Sequence, residues 1–275
     1  MLTLPLSTAA APVEVSHVAL TVHDLDGMAA FYRQALGLEE VASAPGVSRL
    51  GVAGRLLVEL RADPAARRAS PREAGLFHTA FLLPDRPALA RWLRHAADTG
   101  LRLQGASDHL VSEAIYLSDP EGNGIEVYSD RPRSAWHDAT GAIKMATEAL
   151  DLNALVQAAD RPWSGAPEGL VVGHVHLQVG AIAEAEAFYG TMLGLPVMAR
   201  YPGAAFYGSG GYHHHIATNV WNSRGAGRRS DPATGLAEVT LAADTAALAG
   251  IKAKGGAEQM EDPWGTIIAV QAKAG

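Results

Sequence analysis

Apolar and polar residues alternate through Val18, Leu20 and Val22, a period of two that predicts a half-buried strand. The period then changes. AAFYRQAL carries its apolar residues on a helical stripe, with Asp26 placed to cap its start and Gly37 to take the left-handed position after its end. GVSRLGVAG and RLLVELRAD return to the strand period and are joined by glycine turns. LFHTAFLLP restarts the cycle, followed by a helix that opens at Asp85 and Pro87 and stops before Gly100. The unit is βαβββ, and four such units fit the chain.

The pattern repeats in the second half of the chain. SHVALTVHDLDGMAAFYRQALGLE (16–39) aligns with GHVHLQVGAIAEAEAFYGTMLGLP (173–196). GLFHTAFLL (75–83) and DPEGNGIEV (119–127) return in the same order as GLAEVTLAA (235–243) and DPWGTIIAV (262–270). The expected fold class is α+β, with two tandem modules, each made of two βαβββ units that form a half-open β-cup. The first module spans 14–130 and the second 169–273. Residues 131–168 read as a linker with an apolar-periodic helix at 142–159, in which Trp136 and Trp163 mark parts that pack.

Composition narrows the chemistry. The 275 residues are 48% hydrophobic and 19% charged, as in an ordinary folded protein. A formal charge of −7 disfavours nucleic acid as a partner. No apolar run reaches the length of a membrane span, about 18 residues. The first dozen residues lack the basic start and apolar core of a secretory signal and read as a frayed leader. Cysteine is absent, which removes disulfides and thiolate metal sites. That absence fits a reducing cytoplasm best, which is the expected location. With 11 histidines, any metal is held by imidazole and carboxylate.

Three positions of the first module stand out: His17 on the opening strand of unit one, His78 on that of unit two, and Glu126 on the last strand. Neighbouring strands lie about 5 Å apart, so side chains on one face of a cup can converge on one ion. Two imidazoles and one carboxylate leave a face of an octahedron open, the arrangement of non-heme Fe(II). Each histidine taken singly also fits a hydrogen-bonded core residue. Glu126 stands between Ile125 and Val127, and alternation turns it to the opposite face from both, toward either solvent or the interior of the cup. Upstream of it, His109 can move protons at neutral pH, and Tyr116 can hydrogen-bond a substrate oxyanion or be an interior aromatic with a wet hydroxyl.

The duplicated βαβββ pattern resembles the vicinal oxygen chelate superfamily of glyoxalases, extradiol dioxygenases and antibiotic-resistance binding proteins. The run from His109 through Ile115-Tyr116-Leu117-Ser118-Asp119-Pro120-Glu121-Gly122 to Glu126 resembles the signature of extradiol ring-cleaving dioxygenases, departing from it at Ser107. The whole chain, with YLSDPEGNGIEVYSDRPRSAW and GGYHHHI, is similar to the catechol 2,3-dioxygenase-like group over roughly 14–272. The resemblance implies ring cleavage of a small aromatic diol by O2. It implies His17, His78 and Glu126 as ligands to Fe(II), with Mn(II) the alternative ion, His109 as the proton-handling or oxygen-side histidine, and Tyr116 as donor to a catecholate oxygen.

Better-known two-module members keep their metal in the second module, whereas here the implied triad is in the first. In the second half His174 matches His17, but Glu238 replaces His78 and Ala269 replaces Glu126. A second metal site from His174 or His176, one of His213, His214 and His215, and Glu238 is one reading; the other is a structural role for those residues, as polar fill of the cup or as a wall on the substrate side. Two other functions share the scaffold: a glyoxalase-like isomerase or lyase using Zn, Ni or Mn, and a non-catalytic small-molecule binding protein. Exposed sheet edges leave a homo-oligomer open.

Overall fold

The computed structural model describes residue 8, residues 11–230 and residues 232–273. Most of the expected leader lies outside the described residues. Unit one comprises β1 (Val13–Val22), α1 (Leu25–Leu36), β2 (Glu39–Ala44), β3 (Val47–Val52) and β4 (Arg55–Ala62). Unit two comprises β5 (Gly75–Leu83), α2 (Arg86–Asp98), β6 (Leu103–Asp108), β7 (Ser112–Ser118) and β8 (Gly124–Asp130). After α3 (Leu152–Gln157), unit three runs through β9 (Val171–Gln178), α4 (Ile182–Ala185) with its π-helical continuation, β10 (Val197–Tyr201), β11 (Ala204–Tyr207) and β12 (Ile216–Asn219). Unit four has β13 (Gly235–Ala243), α5 (Thr245–Ala253), β14 (Gln259–Glu261) and β15 (Ile267–Ala272). Its helix is thus followed by two strands among the described residues, not the three expected.

The chain has the α+β fold expected, built from two tandem modules with curled, half-open sheets. The pairing of units differs from the expected one. One sheet has the order β14-β15-β13-β1-β4-β3-β2 and the other β10-β11-β12-β9-β5-β8-β7-β6. Unit one therefore shares a sheet with unit four, and unit two with unit three. The seams are antiparallel, β1 against β13 and β5 against β9. Each cup takes one unit from each half of the chain.

Local signals set the element ends. The Asp24 carboxylate, rather than that of Asp26, accepts the Gly27 N–H at 2.9 Å and caps α1, while Gly37 ends it at φ 71°. Asp26 lies in the first turn, where a negative charge also suits the helix dipole. Asp85 caps α2 as expected, accepting from Ala88 N–H at 2.7 Å. The indole of Trp92 on α2 donates to the Ala35 carbonyl at 2.8 Å and ties the two helices together.

Alternation sorts the side chains of β5, β8 and β9. Phe81, Leu83, Ile125, Val127, Val175 and Leu177 enter the main core, where the helices also pack. Ala80, Leu82 and Tyr128 point to the other face, into a smaller cluster with Trp136 and Tyr212. That second face is the inside of the cup.

The helix expected at 142–159 is confined to Leu152–Gln157. Residues preceding it are held in extended pairing at the rim of the cup. Glu148 pairs with Asp108, and Lys144 N–H donates to the Trp136 carbonyl at 2.7 Å. Backbone groups engaged in this way cannot form the i to i−4 ladder of a helix. Both tryptophans of the segment pack: Trp136 is buried, and Trp163 stacks on His95 at 5.9 Å.

Candidate metal centre

Strands β9, β5 and β8 lie side by side in the second sheet and each supplies one side chain. On β5, Ala80 pairs with His174 of β9 on one side and with Glu126 of β8 on the other. His78 stands two residues before Ala80 on the same strand face. The methyl group of Ala80 leaves space between them, and the three longer side chains lean together. His78 Nε2 lies 3.0 Å from Glu126 Oε2 and 3.3 Å from His174 Nε2, and the third edge, His174 Nε2 to Glu126 Oε2, is 3.4 Å.

The backbone at this point is shaped by a bulge between Leu76 and His78. It lets Phe77 as well as His78 line the same cavity. Gly124, opposite the bulge, has no substitute: a Cβ there would lie 2.1 Å from the Phe77 carbonyl oxygen.

The electrostatics favour a cation. Burial pushes the Glu126 carboxyl upward, but His174 and His78 outweigh it and hold the group well below the usual carboxylate range. Burial brings the His174 imidazole down to about 4, so its ring is neutral at neutral pH and a lone pair is free to coordinate. The His174 Nδ1 atom is buried without a hydrogen-bond partner. A buried carboxylate beside the neutral imidazole of His174 is costly without an added positive charge. Ligands at right angles, each about 2.1 Å from an ion, stand about 3.0 Å apart. The donor set and its spacing fit a divalent ion, and His78, Glu126 and His174 form a possible metal site.

Beside this triad, the turn after β6 carries His109. Its Nδ1 lies 2.7 Å from the Ala146 carbonyl oxygen, which can only accept, so Nδ1 carries the proton. In the neutral ring Nε2 is then an acceptor, and it lies 2.6 Å from the Tyr116 hydroxyl, which donates to it. Tyr116 faces Glu126 directly across the β7–β8 ladder. Burial, reinforced by the Glu126 charge, raises the Tyr116 phenol well above its ordinary value and keeps it protonated. Leu110 holds φ at 66°, a conformation unusual for its side chain, while its N–H donates to Asp108 at 2.9 Å. The Arg131 guanidinium clamps Asp108 in turn, so the orientation of His109 is fixed from behind.

The structure thus brings His78, Glu126, His109 and Tyr116 around one cavity of about 350 Å3. His17 is not among them. It lies on β1 in the other sheet, paired with Thr240 of β13, with its Nδ1 3.2 Å from the Ser16 hydroxyl. The cause is the exchange of units: β1 neighbours β13 and β4, and β5 takes β9 in its place. The third position next to His78 and Glu126 belongs to His174, the repeat equivalent of His17.

The second site considered from the sequence is not assembled. Glu238 is on the far sheet, accepting from Thr240 at 3.0 Å and 3.5 Å from Arg61. His213, His214 and His215 lie on a bend before β12 rather than on a strand. His214 enters the cavity with its ring centre 4.1 Å from that of His174. His213 instead reaches Asp130 at 2.9 Å, and His215 Nδ1 accepts from Ser209 N–H at 3.2 Å. The sequence offers His174, His176 and His214 as fill or a substrate-side wall of a second cup, or as part of a second metal site; the structure places them in the same cavity as His78 and Glu126. The usable signal was the repeat itself, which gives β9 the same histidine as β1.

The profile of the Glyoxalase/Bleomycin resistance protein/Dioxygenase superfamily matches residues 14–127 and 171–270. The chain belongs to this superfamily. Within it, the chain is 39% identical over 233 residues to catechol-2,3-dioxygenase of Bacillus subtilis (strain 168), covering 82% of this chain and 81% of that one. Among solved structures, a putative dioxygenase from Bacillus subtilis superposes with a TM-score of 0.63 at 14% identity, covering 95% of this chain and 86% of that chain. Glyoxalase I from Zea mays superposes at 0.57 with 14% identity, over 96% of this chain and 94% of that chain. At these identities the two superpositions establish the superfamily fold alone. No helix among the described residues is long and apolar enough to cross a membrane.

Proposed function

We propose that this chain is an Fe(II)-dependent extradiol dioxygenase that opens the ring of a catechol-type substrate with O2. The reaction breaks one ring carbon–carbon bond beside the two hydroxyls and puts both atoms of O2 into the product. His78, Glu126 and His174 would hold the ion, Mn(II) being the alternative. When bound, the ion supplies Lewis acidity toward the diol oxygens and a redox route between diol and O2. The observation that carries the reading is the pairing of an open-sided triad with a proton-handling pair in the same cavity.

His109 and Tyr116 have separate tasks. His109 Nε2 is an acceptor, poised to take a proton from a substrate hydroxyl, while its Nδ1–H stays on the Ala146 carbonyl. Tyr116 is the donor: its protonated phenol turns from His109 to hold the substrate oxygen as negative charge develops there. Leu82 and Tyr128 beneath the triad and Val111 at its side keep that end of the cavity poor in water. A glyoxalase-like isomerase or lyase needs a metal and a carboxylate base, and leaves the His109–Tyr116 pair without a task. The similarity to a protein named catechol-2,3-dioxygenase supports the same choice.

The test is purification without oxygen, iron loading, and measurement of oxygen uptake with catechols. The expected result is stoichiometric uptake of O2 with formation of a ring-opened, conjugated aldehyde. Iron-loaded protein that consumes no oxygen with any catechol would overturn the reading.

A further inference from the structure

The strand order divides the cavity. The triad occupies the central strands β9, β5 and β8, and the His109–Tyr116 pair lies toward β7 and β6. On the opposite side, β10 to β12 contribute Tyr201, Phe206 and, just past β12, Trp221. Phe77 joins them from the bulge, its ring 5.5 Å from Trp221. The ring of Phe206 lies 5.0 Å from that of His214. This side of the cavity is an aromatic wall.

Two of its members are conspicuous at the surface. Of the three exposed large hydrophobic residues described, Tyr201 (50% exposed) and Trp221 (46%) both stand at this wall. Exposed apolar side chains gathered at one mouth mark a ligand-binding edge more often than those scattered singly. Trp221 is also held in place: its indole N–H donates to the Pro202 carbonyl at 2.9 Å and its backbone N–H to Asn219 Oδ1 at 3.1 Å. An indole fixed by its own hydrogen bond, on a backbone held by a second, loses little freedom when a ligand packs on it.

Volume and charge point the same way. At interior packing density a bare catechol fills roughly 130 Å3, well under half of the cavity. No lysine or arginine lines the cavity among the described residues, and its one carboxylate belongs to the triad. No lysine or arginine would pair with an anionic substituent placed against Phe77, Phe206 and Trp221, so its charge would be desolvated there without a fixed cationic partner.

We propose that the substrate is an uncharged catechol with a bulky aromatic or alkyl substituent, its diol at the triad and its substituent against Phe77, Phe206 and Trp221. The proposal rests on the ring-cleavage reading above. The experiment is calorimetric titration, without oxygen, of the iron-loaded protein with three diols: catechol, phenylcatechol and dihydroxybenzoate. Steady-state oxygen uptake with the same three follows. Phenylcatechol is expected to bind about 10- to 100-fold more tightly than catechol, the range for burying a phenylalanine-sized ring, and dihydroxybenzoate more weakly than catechol. In Phe206→Ala and Trp221→Ala the preference for phenylcatechol over catechol should fall at least tenfold. Equal binding of catechol and phenylcatechol, or tightest binding of dihydroxybenzoate, would overturn the substituent proposal and leave the ring-cleavage reading standing. Failure of all three diols to bind or consume oxygen would overturn both.

Discussion

Replacing Tyr116 by phenylalanine removes one oxygen atom and asks what that atom does. The hydroxyl donates to His109 Nε2 at 2.6 Å and faces Glu126 across the ladder. Its loss removes the hydrogen bond to His109, worth about 1 kcal/mol of stability, and His109 is itself only half-buried. The ring keeps its packing against His78, 5.8 Å away between centres. Tyr116 contributes no atom to the triad, so iron content should not change. The rate should change a great deal. Loss of one hydrogen-bond donor to a developing oxyanion costs about 100- to 1,000-fold, which is about 3–4 kcal/mol in the barrier. The assay is oxygen uptake by iron-loaded parent and variant at matched metal content, with urea unfolding as the control for stability. A variant with full iron and a rate within threefold of the parent would refute the role given to Tyr116.

Two further outcomes follow from the packing and burial around His174. A Cβ at Gly173 would lie 1.9 Å from the Tyr128 hydroxyl, which is buried and lies 2.8 Å from the Tyr212 hydroxyl. Gly173→Ala is therefore expected to lower stability by about 1–3 kcal/mol by urea unfolding, and an unchanged midpoint would contradict this packing. The metal-free protein should lose stability as pH falls from about 6.5 toward 4. Burial lowers His174 to about 4 and His176, His214 and His215 well below 6.5. The unfolded chain then binds protons that the folded chain refuses, and stability rises with pH across this window. His174 alone accounts for about 3 kcal/mol at 1.36 kcal/mol per pH unit. A urea midpoint at pH 5 equal to or above that at pH 7.5 would contradict the assignment of buried, neutral imidazoles.

Much of the architecture was legible because it rests on local rules. Period-two alternation assigned Glu126 to the face opposite Ile125 and Val127, and the structure has it inside the cup for that reason. Caps marked both helices of the first half, with an error of two residues at Asp24. What failed depended on distant pairing. His17 and His174 are equivalent in the repeat, and nothing near either one says which will sit beside β5. That choice is made where β5 pairs with β9 and β1 with β13, contacts between residues far apart in the chain. The segment 142–151 carries helical periodicity, but its backbone pairs with the rim and the periodicity is overridden. His213, His214 and His215 follow no strand alternation, because they precede β12 on a bend. Gly210 and Gly211, both at positive φ, turn the chain just before them and give each ring a different direction.

The proposed chemistry requires one ion held by His78, Glu126 and His174, with His17 uninvolved. Metal analysis of the purified chain and of His174→Ala and His17→Ala, each shown to be folded by circular dichroism, tests it most directly. The expected result is about one divalent ion per chain for the parent and for His17→Ala, and almost none for His174→Ala. Loss of the ion in His17→Ala, or its retention at full stoichiometry in His174→Ala, would contradict the account.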